Sequence, residues 1–338
     1  MLANNRHYAA DQSPLFKVTS PRKLADVLQL PVLELERLAA GGVENYRQFA
    51  QNMKPGKAPR WIETPKSDLY RVQRRIHDLL VRITPPDFLY SGFPRRSAVQ
   101  NANRHAPRTR VAKLDIRSFY PSSDGIRVSA FFRHEMKCAP DVGAILMKLT
   151  TMPATEKFDH RHLPTGGVTS PILAYFAYRQ MFAELGALAL ERGLCMTVMV
   201  DDVTFSGEQA DHELLCKARH ILFRHGLESK RSKERVFAAN RNKTVTGVVL
   251  TNHGPRLPNE RRQRIDQLWR ELATDKKPIE RAKLYQRLSG AAFSAAQIEP
   301  QFQAQGSAAQ QIWRNDDPAW AARRALSRKA PKGRADKS

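Results

Sequence analysis

Cysteine is scarce: Cys138, Cys195 and Cys216 are the only three in 338 residues, odd in number and far apart. With no C-x-x-C pair among them, neither a disulfide scaffold nor a cysteine-rich zinc site is indicated. Long apolar runs are missing as well. Nothing approaches the roughly 20 consecutive apolar residues of a membrane span, and no signal-like apolar segment stands behind the basic N-terminus, so the expectation is a soluble, cytoplasmic protein. Acid is short relative to base: 33 Asp and Glu against 56 Lys and Arg leave a net charge of +23. Such a surplus favours a polyanionic partner, nucleic acid ahead of an anionic membrane. What is present in quantity, 41% hydrophobic and 26% charged residues, supports a substantial core, in about two domains at roughly 150 residues each.

The pattern along the chain divides this material. Val32, Leu33, Leu35 and Leu38 give a short amphipathic helix, and Met53 to Arg60 (MKPGKAPR) is a breaker-rich basic loop. After Thr64-Pro65, Leu69, Val72, Ile76, Leu79 and Leu80 recur at helical spacing. Residues 110–116 (RVAKLDI) read as a short strand ending near an acid and closed by Phe119-Tyr120-Pro121. Gly125 to Glu135 and Val142 to Leu149 read as helices, and LPTGGVTSP at 163–171 is a glycine-rich loop leading into a helix from Pro171 to Glu191. Leu194 to Ser206 (LCMTVMVDDVTFS) is strand, acidic turn, strand; a helix around Gln209 to Arg224 and a strand from Val245 to Leu250 follow. This order suits an α+β fold, a small sheet backed by helices on one side. From 256 the chain is helical and basic, and the last 18 residues carry seven basic side chains and one acid, the composition of a frayed tail. His212, Cys216 and His220, at i, i+4, i+8, share a helical stripe, but no convincing fourth ligand stands nearby and helix packing accounts for them.

The chemistry concentrates in three acids. Asp201 and Asp202 sit in a turn between two apolar strands, where like charges repel and a cation is the natural remedy. Asp115 ends another short apolar strand. Carboxylates converging from adjacent strands can hold two divalent ions about 3.5–4 Å apart, and magnesium is the hard cation such oxygen donors select together with phosphates. The excess Lys and Arg would then hold a polyanionic template, leaving nuclease and polymerase both open. Tyr120 bears on the choice: an aromatic ring just after the Asp115 strand can lie under a nucleotide sugar and exclude a 2′-hydroxyl, whereas Phe119 reads as core. Gly166-Gly167 would let backbone approach a nascent base pair, or simply make a turn.

Taken together these segments resemble the reverse transcriptases, and more narrowly the bacterial retron type. LDIRSFYPS at 114–122 looks like the first catalytic palm motif, LPTGGVTSP at 163–171 like the loop-helix motif, and MVDD at 199–202 like the Tyr-Ala-Asp-Asp box. NANRH at 101–105 and VTG at 245–247 resemble two segments characteristic of retron enzymes, and 61–76 and 91–100 look like fingers sequence. The motifs keep the family's order over about residues 60–300. Departures are Met199 and Val200 for Tyr and Ala, Thr165 for Gln, and Tyr175 where Asn is usual; they fall on primer and nucleotide contacts rather than on the acids.

The resemblance implies a right-hand polymerase fold. Residues 1–60 would be an N-terminal helical extension, 61–109 fingers, 110–254 a palm of small antiparallel sheet and helices with inserted fingers elements, 255–320 a helical thumb and 321–338 a basic flexible tail. Asp115, Asp201 and Asp202 would be catalytic, with Ile116 beside them at two Mg2+ ions, for which Mn2+ is a possible substitute. Tyr120 would be the sugar gate; Thr165, Gly166, Gly167, Lys233, Arg95 and Arg96 would face the nucleotide. Asn101 and His105 would support structure or RNA, and Arg256, Arg261, Arg262 and Arg264 would let the thumb follow a duplex. The implied activity is DNA synthesis on a cognate structured noncoding RNA, primed from the 2′-hydroxyl of an internal guanosine and giving a branched RNA–DNA product, in anti-phage defence beside a separate effector protein. A group II intron or diversity-generating reverse transcriptase, and a catalytically silent RNA-binding protein of polymerase fold, are the alternatives.

Overall fold

The computed structural model describes residues 7–51, 59–274 and 278–316. The tail at 321–338 and most of the Met53 to Arg60 loop lie outside these. The chain divides into two units, Met1–Arg241 and Asn242–Ser338.

In the first unit, α1 (Pro21–Leu28) begins with Pro21 at its first position and the Ser20 hydroxyl accepting from the Lys23 N–H; α2 (Val32–Ala40) follows and buries Leu35 and Leu38. A ribbon of β1 (Tyr46–Gln51) and β2 (Arg60–Pro65) then forms, with Tyr46 opposite Pro65 and Gln51 opposite Arg60. The sequence carries only helix and loop signals here. The ribbon is largely exposed, so its strands lack the apolar alternation by which a half-buried strand announces itself. In α3 (Ser67–Leu80), Leu69, Val72, Ile76, Leu79 and Leu80 are all buried, as their spacing predicts. The short α4 (Ala98–Ala102) is capped by the Ser97 hydroxyl, which accepts from the Gln100 N–H.

The central sheet is antiparallel throughout, in the order β4-β5-β3-β6, from β3 (Val111–Asp115), β4 (Cys195–Met199), β5 (Asp202–Ser206) and β6 (Arg235–Phe237). Its buried side chains, Val111, Leu114, Val198, Val203 and Phe205, belong to the predicted apolar runs. Around it lie α5 (Gly125–Ala130), which continues into one π-helical stretch at Phe131–Glu135, α6 (Pro140–Thr150), α7 (Ser170–Ala177), α8 (Arg179–Glu191) and α9 (His212–Arg224). The single helix expected from Pro171 to Glu191 is broken at Tyr178. That side chain is buried, donates its hydroxyl to the Ser122 carbonyl and packs against Phe119, and the backbone leaves helical geometry to bring it there. Phe119 is core, as expected.

The second unit opens with a three-stranded sheet, β7 (Lys243–Val245), β8 (Val248–Thr251) and β9 (Gly254–Arg256). The one strand predicted at 245–250 is therefore a hairpin. Its VTG segment is the turn, with Thr246 at φ 45° and Gly247 at φ 76°, the paired left-handed residues that a tight two-residue connection needs. Helices α10 (Asn259–Leu272), α11 (Pro278–Ala296) and α12 (Phe302–Asp316) complete the unit; α10 buries Ile265 and Leu268, the stripe predicted for it. Among the described residues no helix is long and apolar enough to cross a membrane.

Candidate nucleotide cleft

Antiparallel register brings the acids together. Asp115, last residue of β3, lies directly opposite Asp202, first residue of β5, and Asp201 occupies the turn before it. The Ile116 N–H donates to the Asp201 carbonyl at 2.8 Å, stitching the turn to the end of β3. The turn is tight: Val200, a β-branched residue, adopts φ +60°, and its N–H donates to the Ser91 hydroxyl at 3.0 Å.

The three carboxylates are not equivalent. Asp115 and Asp201 share a cleft of about 820 Å³, lined also by Ile116, Tyr120, Thr165, Val200 and Lys233. Asp202 opens instead on a smaller cavity of about 310 Å³, which Asp115 and Lys233 also line. Each of two carboxylates already meets a lysine: Lys233 Nζ stands 2.6 Å from Asp115 Oδ2, and Lys113 Nζ 2.9 Å from Asp202 Oδ2. Burial first, and then the charge of Asp115, push the Asp201 carboxyl above the ordinary carboxylate range, with Lys233 pulling the other way. The same two causes, burial and then a neighbouring charge, that of Asp201, raise the Tyr120 hydroxyl. Among the described residues no group of three or more His, Cys, Asp or Glu converges as a ready-made metal site; that holds for His212, Cys216 and His220 too. The donors facing the cleft are all oxygens, from two mutually repelling carboxylates, and this chemistry fits a hard divalent cation. Ile116 borders the cleft but is itself fully buried.

Other expected residues are distributed unevenly. Thr165 reaches the cleft, while Gly166 is not among its lining residues and is pressed so closely on β2 that a Cβ would come within 3.0 Å of the Glu63 carbonyl; its φ of +130° also requires glycine. Gly167 packs against Pro164 and Ser170. Arg95 and Arg96 do not line the cleft. The Arg96 guanidinium donates to the carbonyls of Pro86 and Leu89 and lies over the Tyr90 ring, which satisfies it within its own loop. In their place stand residues that no sequence motif singles out: Arg60 and Trp61 on β2, Lys157 with its ammonium 4.1 Å from the Trp61 ring centre, and Lys230.

Asn101 and His105 are buried, away from any surface on which an RNA could lie in this structure. The His105 ring nitrogens are hydrogen-bonded to Ser206 Oγ at 2.7 Å and Thr197 Oγ1 at 2.8 Å, tying the chain before β3 to β4 and β5. In the second unit Arg256 is exposed, but its three companions are engaged. Arg261 donates to Ser294 Oγ at 2.7 Å, Arg264 to Gln267 Oε1 at 2.7 Å, and Arg262 to both oxygens of the buried Glu299 at 2.9 and 2.8 Å.

No family model matches the chain. Against individual curated proteins it is 27% identical over 258 residues to the Retron Se72 reverse transcriptase of Salmonella heidelberg, covering 73% of this chain and 66% of that one. It is 30% identical over 223 residues to the Retron Mx65 reverse transcriptase of Myxococcus xanthus, 62% of this chain and 52% of that one. Its relatives are retron reverse transcriptases. The Retron Ec86 reverse transcriptase of Escherichia coli adds a further match at 25% identity over 61% of this chain and 63% of that one. The chain is thus similar to several retron reverse transcriptases, and the similarities single out no particular one. The chain spans about half to two thirds of the length of the relatives it matches.

Proposed function

We propose that this chain is an RNA-directed DNA polymerase of the retron type. It would make a short single-stranded DNA, joined to RNA at a branch, from a cognate structured noncoding RNA primed at an internal guanosine 2′-hydroxyl. The observation that carries the proposal is the single cleft in which Asp115, Asp201, Tyr120, Thr165 and Lys233, drawn from four separate stretches of sequence, stand together. In this reading the central sheet and its helices are the palm, the β1–β2 ribbon belongs to the fingers, and the helices of the second unit form the thumb.

Asp115 and Asp201, with backbone at Ile116 and with Asp202 in support, would hold two Mg2+ ions. Bound there, the ions neutralise phosphate charge and favour the ionised primer hydroxyl. The primer oxygen forms its bond to the α-phosphorus as the bond to the bridging oxygen breaks, and pyrophosphate leaves. Tyr120 lies under the sugar and rejects a 2′-hydroxyl by contact. Lys233, now paired with Asp115, exchanges that carboxylate for the triphosphate. The Arg60, Lys157 and Lys230 cations, which line the same cleft, serve the same anion. Lys113 orients Asp202 through their ion pair.

Exposed base on a chain of +23 supports a nucleic-acid partner held largely through phosphate. A separate effector protein and a role in anti-phage defence complete the proposal. The test is incorporation of deoxynucleotides by purified protein on a primed RNA template: the unaltered chain extends the primer only with RNA template, dNTPs and Mg2+, and D115A and D201A do not. Equal extension by D201A would remove the acids from the chemistry.

A further inference from the structure

Arg60 and Trp61 enter the cleft from β2, whereas Thr165 enters from a loop about a hundred residues later, so something must hold the two walls in register. Glu63 is a charged residue of β2 that departs from the exposed character of much of its ribbon. Glu63 is 1% exposed, and a buried carboxylate requires a partner. It has one in His162, fully buried, whose Nε2 lies 3.2 and 3.0 Å from the two carboxylate oxygens. The other ring nitrogen, Nδ1, faces the His160 carbonyl at 3.2 Å. The ring is thus held between the Glu63 carboxylate and a backbone carbonyl.

The backbone on each side of the pair is tied down as well. His162 exchanges hydrogen bonds with Met152 in both directions, at 3.0 and 2.8 Å, and the Leu163 N–H donates to the Ser123 carbonyl at 3.1 Å. The Glu63 N–H donates to the Thr165 carbonyl at 3.0 Å, and Gly166 rests on the Glu63 carbonyl. Glu63 thus grips the 162–166 segment twice, by side chain and by backbone, two and three positions along the same strand from Trp61 and Arg60. A strand moves as a stiff unit, so a shift at Glu63 is passed to both cleft residues.

We infer that the buried Glu63–His162 pair is a positioning device that fixes the β2 wall of the cleft against the Thr165 wall and so sets how tightly an incoming nucleotide is held. The inference presupposes the nucleotide cleft proposed above. Asp115 and Asp201 are carried by β3 and the β4–β5 turn, outside the clamp, and the acids stay in place when it is loosened. The expected signature is a loss of binding without loss of chemistry: the KM for dNTP rises about tenfold while kcat changes by less than about threefold.

The experiment uses the full chain with E63Q, H162Q and the double variant, titrating dNTP on a primed RNA template. Quenching of Trp61 fluorescence by dNTP and Mg2+ is followed in parallel, in a background where Trp269, Trp313 and Trp320 are phenylalanine. Because the two residues act as one device, the double variant should be no worse in KM than the worse single one. If the glutamine variants do not fold, E63D, which shortens the reach by one methylene, is expected to shift KM and quenching the same way. Variants whose KM and quenching midpoint stay within about twofold of the unaltered chain would overturn the inference, as would a kcat that falls as far as kcat/KM. In either case the polymerase reading stands. An unaltered chain that extends no primer would remove that reading and this inference together.

Discussion

His105 offers a perturbation whose size follows from its surroundings. Burial, and then the charges of Arg104 and Lys113, bring its ring down to a pKa of about 4 from the ordinary 6.5. The unfolded chain therefore binds a proton that the folded one does not between those values. Stability contributed by the neutral ring is complete above about pH 6.5 and is lost progressively as pH falls toward 4. A separation of about 2.5 units at 1.36 kcal/mol each amounts to about 3 kcal/mol, a sizeable part of the 5–15 kcal/mol typical of a domain. H105Q keeps a hydrogen-bonding side chain for Ser206 and Thr197 but cannot titrate. Urea unfolding of both proteins, followed through Trp61 with the other tryptophans replaced, gives their difference at each pH. Carboxylates and the other histidines titrate alike in the two and cancel. The advantage of the unaltered chain should shrink by about 3 kcal/mol from pH 7 to pH 4; parallel pH profiles would refute the placement of His105 between the two hydroxyls. H105L, which leaves both hydroxyls unpaired, should cost about 2–5 kcal/mol at pH 7.

Other expectations can be checked alongside. V200G removes a β-branched side chain from φ +60° and should stabilise the first unit by up to about 1 kcal/mol in a thermal melt; marked destabilisation would mean that the turn is not strained. E299A orphans the Leu257 N–H and the Arg262 guanidinium and should cost the second unit about 2 kcal/mol in denaturant. Although burial works against it, the Leu257 N–H and Arg262 hold the Glu299 carboxyl below its usual range. Its contribution is therefore present above that range and lost on acidification, and a second-unit melt that is flat across mild acid would contradict this. R256A, at an exposed arginine, should weaken RNA binding at all sequences alike and reduce the salt slope by about 1, whereas R262A should act first through stability; equal salt slopes for R256A and the unaltered chain would take Arg256 off the RNA.

The parts legible in the sequence were those where local pattern and tertiary burial coincide. The strands around Asp115 and Asp201 alternate or run apolar because the sheet faces a core, and α3 and α10 show their buried stripes at helical spacing. The β1–β2 ribbon was invisible because it buries little. The break at Tyr178 follows from a hydroxyl finding Ser122, 56 residues earlier, and nothing local to the helix announces it. Arg96 illustrates the converse: a basic residue near a recognised motif invites a phosphate, yet its own loop supplies two carbonyls. Arg60, Trp61 and Lys157 could be placed in the cleft only once the ribbon was known to fold onto the Thr165 loop. The Glu63–His162 pair, 99 residues apart, had no sequence signal at all.

The most direct test of the central claim is recovery of nucleic acid from cells expressing this gene with its native flanking DNA, treated with RNase and compared with a D201A control made in equal amount. The account predicts a discrete single-stranded DNA that is present with Asp201 and absent with alanine. The same band in both, or no band despite soluble protein and an intact flanking locus, would contradict retron-type synthesis at this cleft.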